Sequence, residues 1–348
     1  MRRLVFALLC CAALLRGQDS RPYRAQALVE SYREAHGVVG VAAAVVQDGR
    51  LLACVESGFA DREAGRRVGA ATWFRLGSIS KPVTATAALK LVEAGTLRLD
   101  APVTGLVPEW PADQAPITLR QLLSHTAGVR HYRPAGLGDP TLRVFAHYTT
   151  AEAVALFAGD ALLFPPGTRE SYSTHGYTLV ARAVEVACGG ELVAWLRAHV
   201  LAPELDCEVL AEARPERSAL YSLATPKAQR EARAEDNSWK YGGGGMEATA
   251  RGLARWADAL RAGQLLSAAS LTQMWTPTTL SDGKHTRYGL GWHVAGARVS
   301  HTGAQQGCRS ALLLDRDLRL AVVVLTNTAG SHAPMQLAQQ LAALWAGR

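Results

Sequence analysis

Ser78, Lys81 and Tyr172 are the residues whose types and spacing best suit covalent chemistry. In Ser78-Ile79-Ser80-Lys81-Pro82, the proline is tolerated only in a helix's first turn, which places Ser78 at or next to a helix start. A spacing of three then puts Ser78 and Lys81 on one helical face. A serine hydroxyl is a poor nucleophile without a base beside it. A lysine in a partly dry pocket loses pKa and becomes such a base. The helix N-terminus also favours the negative charge that develops during attack. Taken alone, the pattern is better explained by an N-cap serine followed by a surface lysine, so other segments must decide.

Two other segments add to it. Phe164-Pro165-Pro166-Gly167 forms a turn ahead of Tyr172-Ser173-Thr174-His175-Gly176-Tyr177, and a helical pattern follows over 178–186. A tyrosine shuttles protons when neighbouring cations lower its pKa; its plainer role is to pack in a loop. Ser300-His301-Thr302-Gly303-Ala304 enters the last hairpin, where small residues on an edge strand let a substrate lie against the backbone. The Ala304 N–H can pair with that of Ser78 as an oxyanion hole. Thr174, His301, Thr302 and Gly303 complete the set of substrate-binding candidates.

These segments need a frame. Residues 21–36 carry apolar positions at helical spacing. Residues 38–46 and 51–55 flank Asp48-Gly49 as a hairpin. Near the other end, 310–314 and 318–325 flank a charged turn, and a helix over about 332–345 closes the chain. One antiparallel sheet built from both termini follows. The expected class is α+β: a sheet flanked by helices over 18–105 and 237–348, with an inserted all-helical lobe over 106–236 and the site in the cleft between.

With 348 residues, 49% hydrophobic and 19% charged, the chain can bury a large core. Arg2 and Arg3 ahead of the apolar run 4–15, with Gly17 before Gln18, read as an export signal over 1–17, giving a periplasmic or extracellular protein; an arginine-rich, acid-free start also suits mitochondrial import. That run is shorter than the roughly 20 residues needed to span a bilayer, and no later stretch qualifies. Three charges of the net +7 lie in that segment, leaving +4 without a basic stripe, which argues against a nucleic-acid partner. The histidines form no metal-binding pattern, the glycines at 242–245 lack the residues of a phosphate loop, and no cofactor is expected. Cys54, Cys188, Cys207 and Cys308 match no zinc spacing and are expected as isolated buried thiols. His125 reads as a structural hydrogen-bonder. His175 either faces the cleft or packs, Cys308 and Arg309 either touch substrate or lie on the strand face, and Trp239, Trp256, Trp292 and Trp345 are expected in the core.

The three segments in this order resemble the serine β-lactamase-like family, which includes class C β-lactamases, D-alanyl-D-alanine carboxypeptidases and related esterases. Further resemblance lies in Leu122-Leu123-Ser124-His125-Thr126-Ala127-Gly128, in residues 242–245, and in Tyr288-Gly289-Leu290-Gly291-Trp292. Gly128-Val129-Arg130-His131-Tyr132 and Asp236-Asn237-Ser238-Trp239-Lys240 are similar to animal mitochondrial members. The resemblance covers essentially the whole mature chain. It implies that Ser78 attacks a carbonyl, that Lys81 and Tyr172 move its proton, that the Ser78 and Ala304 N–H groups hold the oxyanion, and that water releases the acyl group. A peptidase acting on short peptides comes first, an esterase close behind and a β-lactamase third. A non-catalytic member that binds peptides or assembles into homo-oligomers or filaments is the alternative. Two departures stand out. The family's second segment usually ends in Asn where this chain has Thr174, and its third often begins with Lys where this chain has His301. Histidine carries charge only below about pH 6.5. Both changes favour a peptidase or esterase over efficient β-lactam hydrolysis.

Overall fold

Asp48 and Gly49 sit at positive φ, 48° and 76°, as a two-residue type I′ turn requires. They join β1 (Gly40–Gln47) to β2 (Arg50–Asp61). The structure, a computed structural model, describes residues 19–132, 142–223, 227–231 and 233–347. The expected export segment and parts of the cleft loops 130–139 and 212–235 lie outside the described residues.

β3 (Arg66–Arg67), β4 (His293–Ala295), β5 (Arg298–Gln305), β6 (Cys308–Asp315) and β7 (Leu320–Thr326) complete a seven-stranded sheet in the order β3-β2-β1-β7-β6-β5-β4. Every pair is antiparallel. β1 pairs with β7 from Val41↔Thr326 to Gln47↔Leu320, so the N-terminal and C-terminal hairpins form one sheet. Both strands are buried along almost their whole length, which requires cover on both faces.

Strand alternation divides that cover. Val41, Ala43, Val45, Val322 and Val324 pack with α1 (Arg21–Ala35) and α5 (Pro334–Trp345). Ala42, Ala44, Val46, Val323 and Leu325 join a larger core on the other face. That core takes in α2 (Ser80–Glu93), α3 (Thr174–Cys188) and α4 (Ala250–Arg261). It continues without a break into the segment between 106 and 236. There, α3 and shorter helices such as Leu119–Leu123 and Leu192–His199 are joined by short strands, Leu205–Cys207 among them.

Caps explain the helix starts nearest the site. Ser173 Oγ accepts from the Gly176 N–H at 2.9 Å at the head of α3, and Thr249 Oγ1 accepts from the Gly252 N–H at 3.0 Å at the head of α4; each satisfies a donor that the helix cannot. Trp239, Trp256, Trp292 and Trp345 are buried. Among the described residues, Cys54, Cys188, Cys207 and Cys308 are all free thiols; Cys207 and Cys308 are buried as expected, whereas Cys54 and Cys188 are only half-buried. Among the described residues, no helix is long and apolar enough to cross a membrane.

Candidate active site

Ser78 lies in a single 3-10 turn, Gly77–Ile79, that runs directly into α2. Two contacts hold this turn in place. Ser80 Oγ donates to the Gly77 carbonyl at 2.8 Å and accepts from the Met246 N–H at 3.1 Å. Below it, Phe74–Arg75, Met246–Ala248 and Leu205–Cys207 form a small antiparallel sheet. Gly77 has φ 55°, and a Cβ there would meet the Ala304 nitrogen at 2.8 Å. The end of β5 therefore lies hard against the turn that carries Ser78, and only glycine fits between them.

Lys81 is fully buried. Its Nζ lies 3.1 Å from Ser78 Oγ, 3.1 Å from Thr174 Oγ1 and 2.6 Å from the Gly243 carbonyl. These neighbours are all neutral oxygens. Burial, and then the charge of Lys240, push the Lys81 pKa well below the ordinary lysine value, which favours the free amine. A free amine has two N–H donors and one lone pair. Thr174 Oγ1 and the Gly243 carbonyl can take the donors, leaving the lone pair toward Ser78.

The Tyr172 ring centroid lies 4.7 Å from Lys81 Nζ. Its hydroxyl interacts with Ser78 and Thr174, but burial dominates and raises its pKa far above that of a free phenol. This differs from the lowered value that nearby cations would produce. The cation expected beside it is a buried amine with little tendency to hold a proton, so Tyr172 stays a protonated phenol. His125 packs on it at 4.4 Å between ring centroids and accepts from the Ser173 N–H at 3.2 Å. His131 Nδ1 accepts from the Thr174 N–H at 3.0 Å.

His301 lies on β5 with its ring 6.2 Å from that of Tyr172. Burial, then the Lys81 charge, lower its pKa to about 3. At neutral pH it carries no charge, and its Nδ1–H donates to the Thr302 carbonyl at 2.7 Å. Gly303 is also buried, and a Cβ there would meet the Leu76 carbonyl at 1.9 Å, so close packing on the Ser78 turn requires glycine. The alternation of β5 leaves Thr302 and Ala304 exposed on the opposite face from His301 and Gly303, so the Ala304 backbone, not its side chain, is what borders Ser78.

The structure thus brings Ser78, Lys81, Tyr172, Thr174, His301 and the Ala304 backbone together, and does not bring in the Thr302 side chain. His175 packs instead against Phe157, with ring centroids 4.1 Å apart. Cys308 donates to the Arg75 carbonyl at 2.9 Å and Arg309 to the Gly330 carbonyl at 2.8 Å, so both serve the strand.

Residues 25–346 match the Beta-lactamase family. The chain belongs to that family. It is 30% identical to Esterase EstB of Burkholderia gladioli over 86% of this chain and 89% of that protein. It is 26% identical to the mitochondrial serine beta-lactamase-like protein LACTB of Homo sapiens, over 82% of this chain and 70% of LACTB. The octameric penicillin-binding protein homologue from Pyrococcus abyssi shares the fold, with a TM-score of 0.79 at 23% identity, covering 93% of this chain and 77% of that one. Family and relatives make this chain a serine hydrolase of amide or ester bonds that works through an acyl-enzyme. Residues outside the expected set also line the site: the Gly243 carbonyl, His131, Tyr288, Lys240 and Gln305. Of these, Gly243, His131, Tyr288 and Lys240 stand in stretches that carry the family resemblance, and Gln305 does not.

Proposed function

We propose that Ser78 is the acylated nucleophile and that esters of small acids are its preferred substrates, ahead of short peptides and β-lactams. The observation that carries this reading is the fully buried Lys81 amine, 3.1 Å from Ser78 Oγ and, among the described residues, without a carboxylate partner. Ser78 Oγ attacks the carbonyl carbon while its proton passes to Lys81. The oxyanion is held by the Ser78 and Ala304 N–H groups. Collapse of the intermediate breaks the bond to the leaving group, which takes a proton from Tyr172, and Lys81 restores the Tyr172 proton. Water then attacks the acyl-enzyme by the same route in reverse.

Esters come first because the relative that is 30% identical is an esterase, and because His301 is neutral and offers no cation to a carboxylate on the leaving-group side. The basic, apolar start supports export of the mature chain, with mitochondrial import as the alternative reading. The test of the nucleophile is covalent labelling with a fluorophosphonate, together with hydrolysis of 4-nitrophenyl esters. Stoichiometric labelling and turnover are expected for the wild type, and Ser78→Ala loses both. A folded wild-type protein that neither labels nor hydrolyses would remove the assignment and favour a binding or assembly role.

A further inference from the structure

An ammonium taken out of water normally has a carboxylate beside it, because an unpaired buried charge is strongly disfavoured. Lys240 is 4% exposed, yet among the described residues its ammonium makes no ion pair or hydrogen bond. Its neighbours are ring faces: Nζ lies 4.7 Å from the Trp239 centroid and 5.5 Å from that of Tyr132. Such contacts hold a cation but replace only part of its lost hydration. The acidic groups around it are engaged elsewhere or too distant to pair. Glu208 binds Arg75 at 2.8 Å and Asn237 at 2.7 Å, and Glu235 acts on Lys240 through space only. Burial lowers the lysine to about 8, opposed by Glu235, so it remains largely charged at neutral pH.

A second observation points to the same place. Gln305 has both side-chain polar atoms buried and without a hydrogen-bond partner. A Cβ on Gly244 would lie 3.5 Å from Gln305 Oε1 and 3.5 Å from Lys240 Cδ. Glycine thus leaves a gap with an unsatisfied amide on one side and the stem of an unpaired lysine on the other.

The orientation of β5 says which part of a substrate enters that gap. His301 is the β5 residue beside Tyr172, Ala304 borders Gly77 in the turn that carries Ser78, and Gln305 lies beyond it. The leaving group needs a proton and therefore lies toward Tyr172 and His301. The acyl chain then runs the other way, toward Gln305 and Lys240.

We propose that Lys240 and Gln305 form an acyl-side subsite and that the preferred substrate carries a carboxylate on its acyl group. The carboxylate pairs with the Lys240 ammonium and accepts a hydrogen bond from the Gln305 amide. This inference rests on Ser78 being the acylated residue.

The test compares mono-4-nitrophenyl glutarate with 4-nitrophenyl valerate, esters of equal chain length that differ in the terminal carboxylate. At pH 7 the wild type is expected to favour the glutarate ester in kcat/KM on the order of tenfold to a hundredfold. Lys240→Met abolishes the preference, Lys240→Arg restores part of it, and Gln305→Ala weakens it. In parallel, free glutarate, but not valerate, slows fluorophosphonate labelling of wild-type Ser78, and Lys240→Met removes that protection. Equal use of the two esters by the wild type, or equal slowing of both by Lys240→Met and Gln305→Ala, would overturn the subsite while leaving the hydrolase intact. An unlabelled Ser78 with neither ester turned over defeats the underlying hydrolase reading, and the subsite with it.

Discussion

Buried charges occur in two neighbouring regions, and their pairing differs. Under the Ser78 turn, Glu247 is fully buried and is gripped by Arg217 at 2.7 Å and Arg214 at 2.9 Å. Beside it, Arg75 and Glu208, each 1% exposed, pair at 2.8 Å. A few residues away, Lys81 and Lys240 are also buried and, among the described residues, pair with no carboxylate. Arg75 and Glu247 face each other across the small sheet, and their ion pairs tie the chain before Ser78 and the chain after Gly245 to the segment 208–217. The first region spends its ions on holding two segments together. The second gives its lysines no counter-ion, which favours a free amine at Lys81 that can accept a proton and leaves an ammonium at Lys240 that awaits an anion.

The sharpest way to break this contrast is Lys81→Met. If Lys81 is a base, kcat/KM falls on the order of 10^4-fold, and the double variant with Ser78→Ala is little worse, because the two act as a unit. A loss that multiplied in the double variant would show that the two groups act independently. The next effect belongs to the paired region. Glu208→Ala leaves the Arg75 guanidinium buried and uncompensated and is expected to destabilise the fold by about 3–5 kcal/mol in denaturant titrations. If the loss is under 1 kcal/mol, water reaches Arg75 and the ionic tie is not structural.

Much of the frame was legible in the sequence because it rests on local chemistry. Asp48-Gly49 names a turn that few other dipeptides make, and Pro82 locates the start of α2 within a residue or two. The T-x-x-Q of Thr118 and Gln121 likewise encodes the capping box that starts the helix Leu119–Leu123. The site's electrostatics were less legible. His301 looks able to titrate near 6.5 until burial and Lys81 lower it to about 3. Tyr172 looks like a phenol beside a cation until that cation is seen to be a desolvated amine. Lys240 and Gln305 are 65 positions apart in the numbering and come to either side of one gap only because the end of β5 lies near Gly244. No periodicity or spacing records such a meeting.

The smallest effect separates the roles of Lys81 most cleanly, since it concerns stability and not rate. In the folded protein the lysine pKa is lowered, first by burial and then by Lys240, whereas in the unfolded chain it stays near 10.4. Between those two values the unfolded state binds the extra proton and the folded state does not, so the stability conferred on the fold rises with pH across that window. Lys81→Met has no proton to exchange there. The other titrating groups packed around the site, Lys240, His125, His131, His301 and Tyr172, are common to both proteins and largely cancel in the difference. Wild type should therefore gain on Lys81→Met in urea midpoint as pH rises from 7 toward 10. A difference that stays flat over that range would mean that Lys81 keeps its proton in the folded state, and the role of base would then pass to another group.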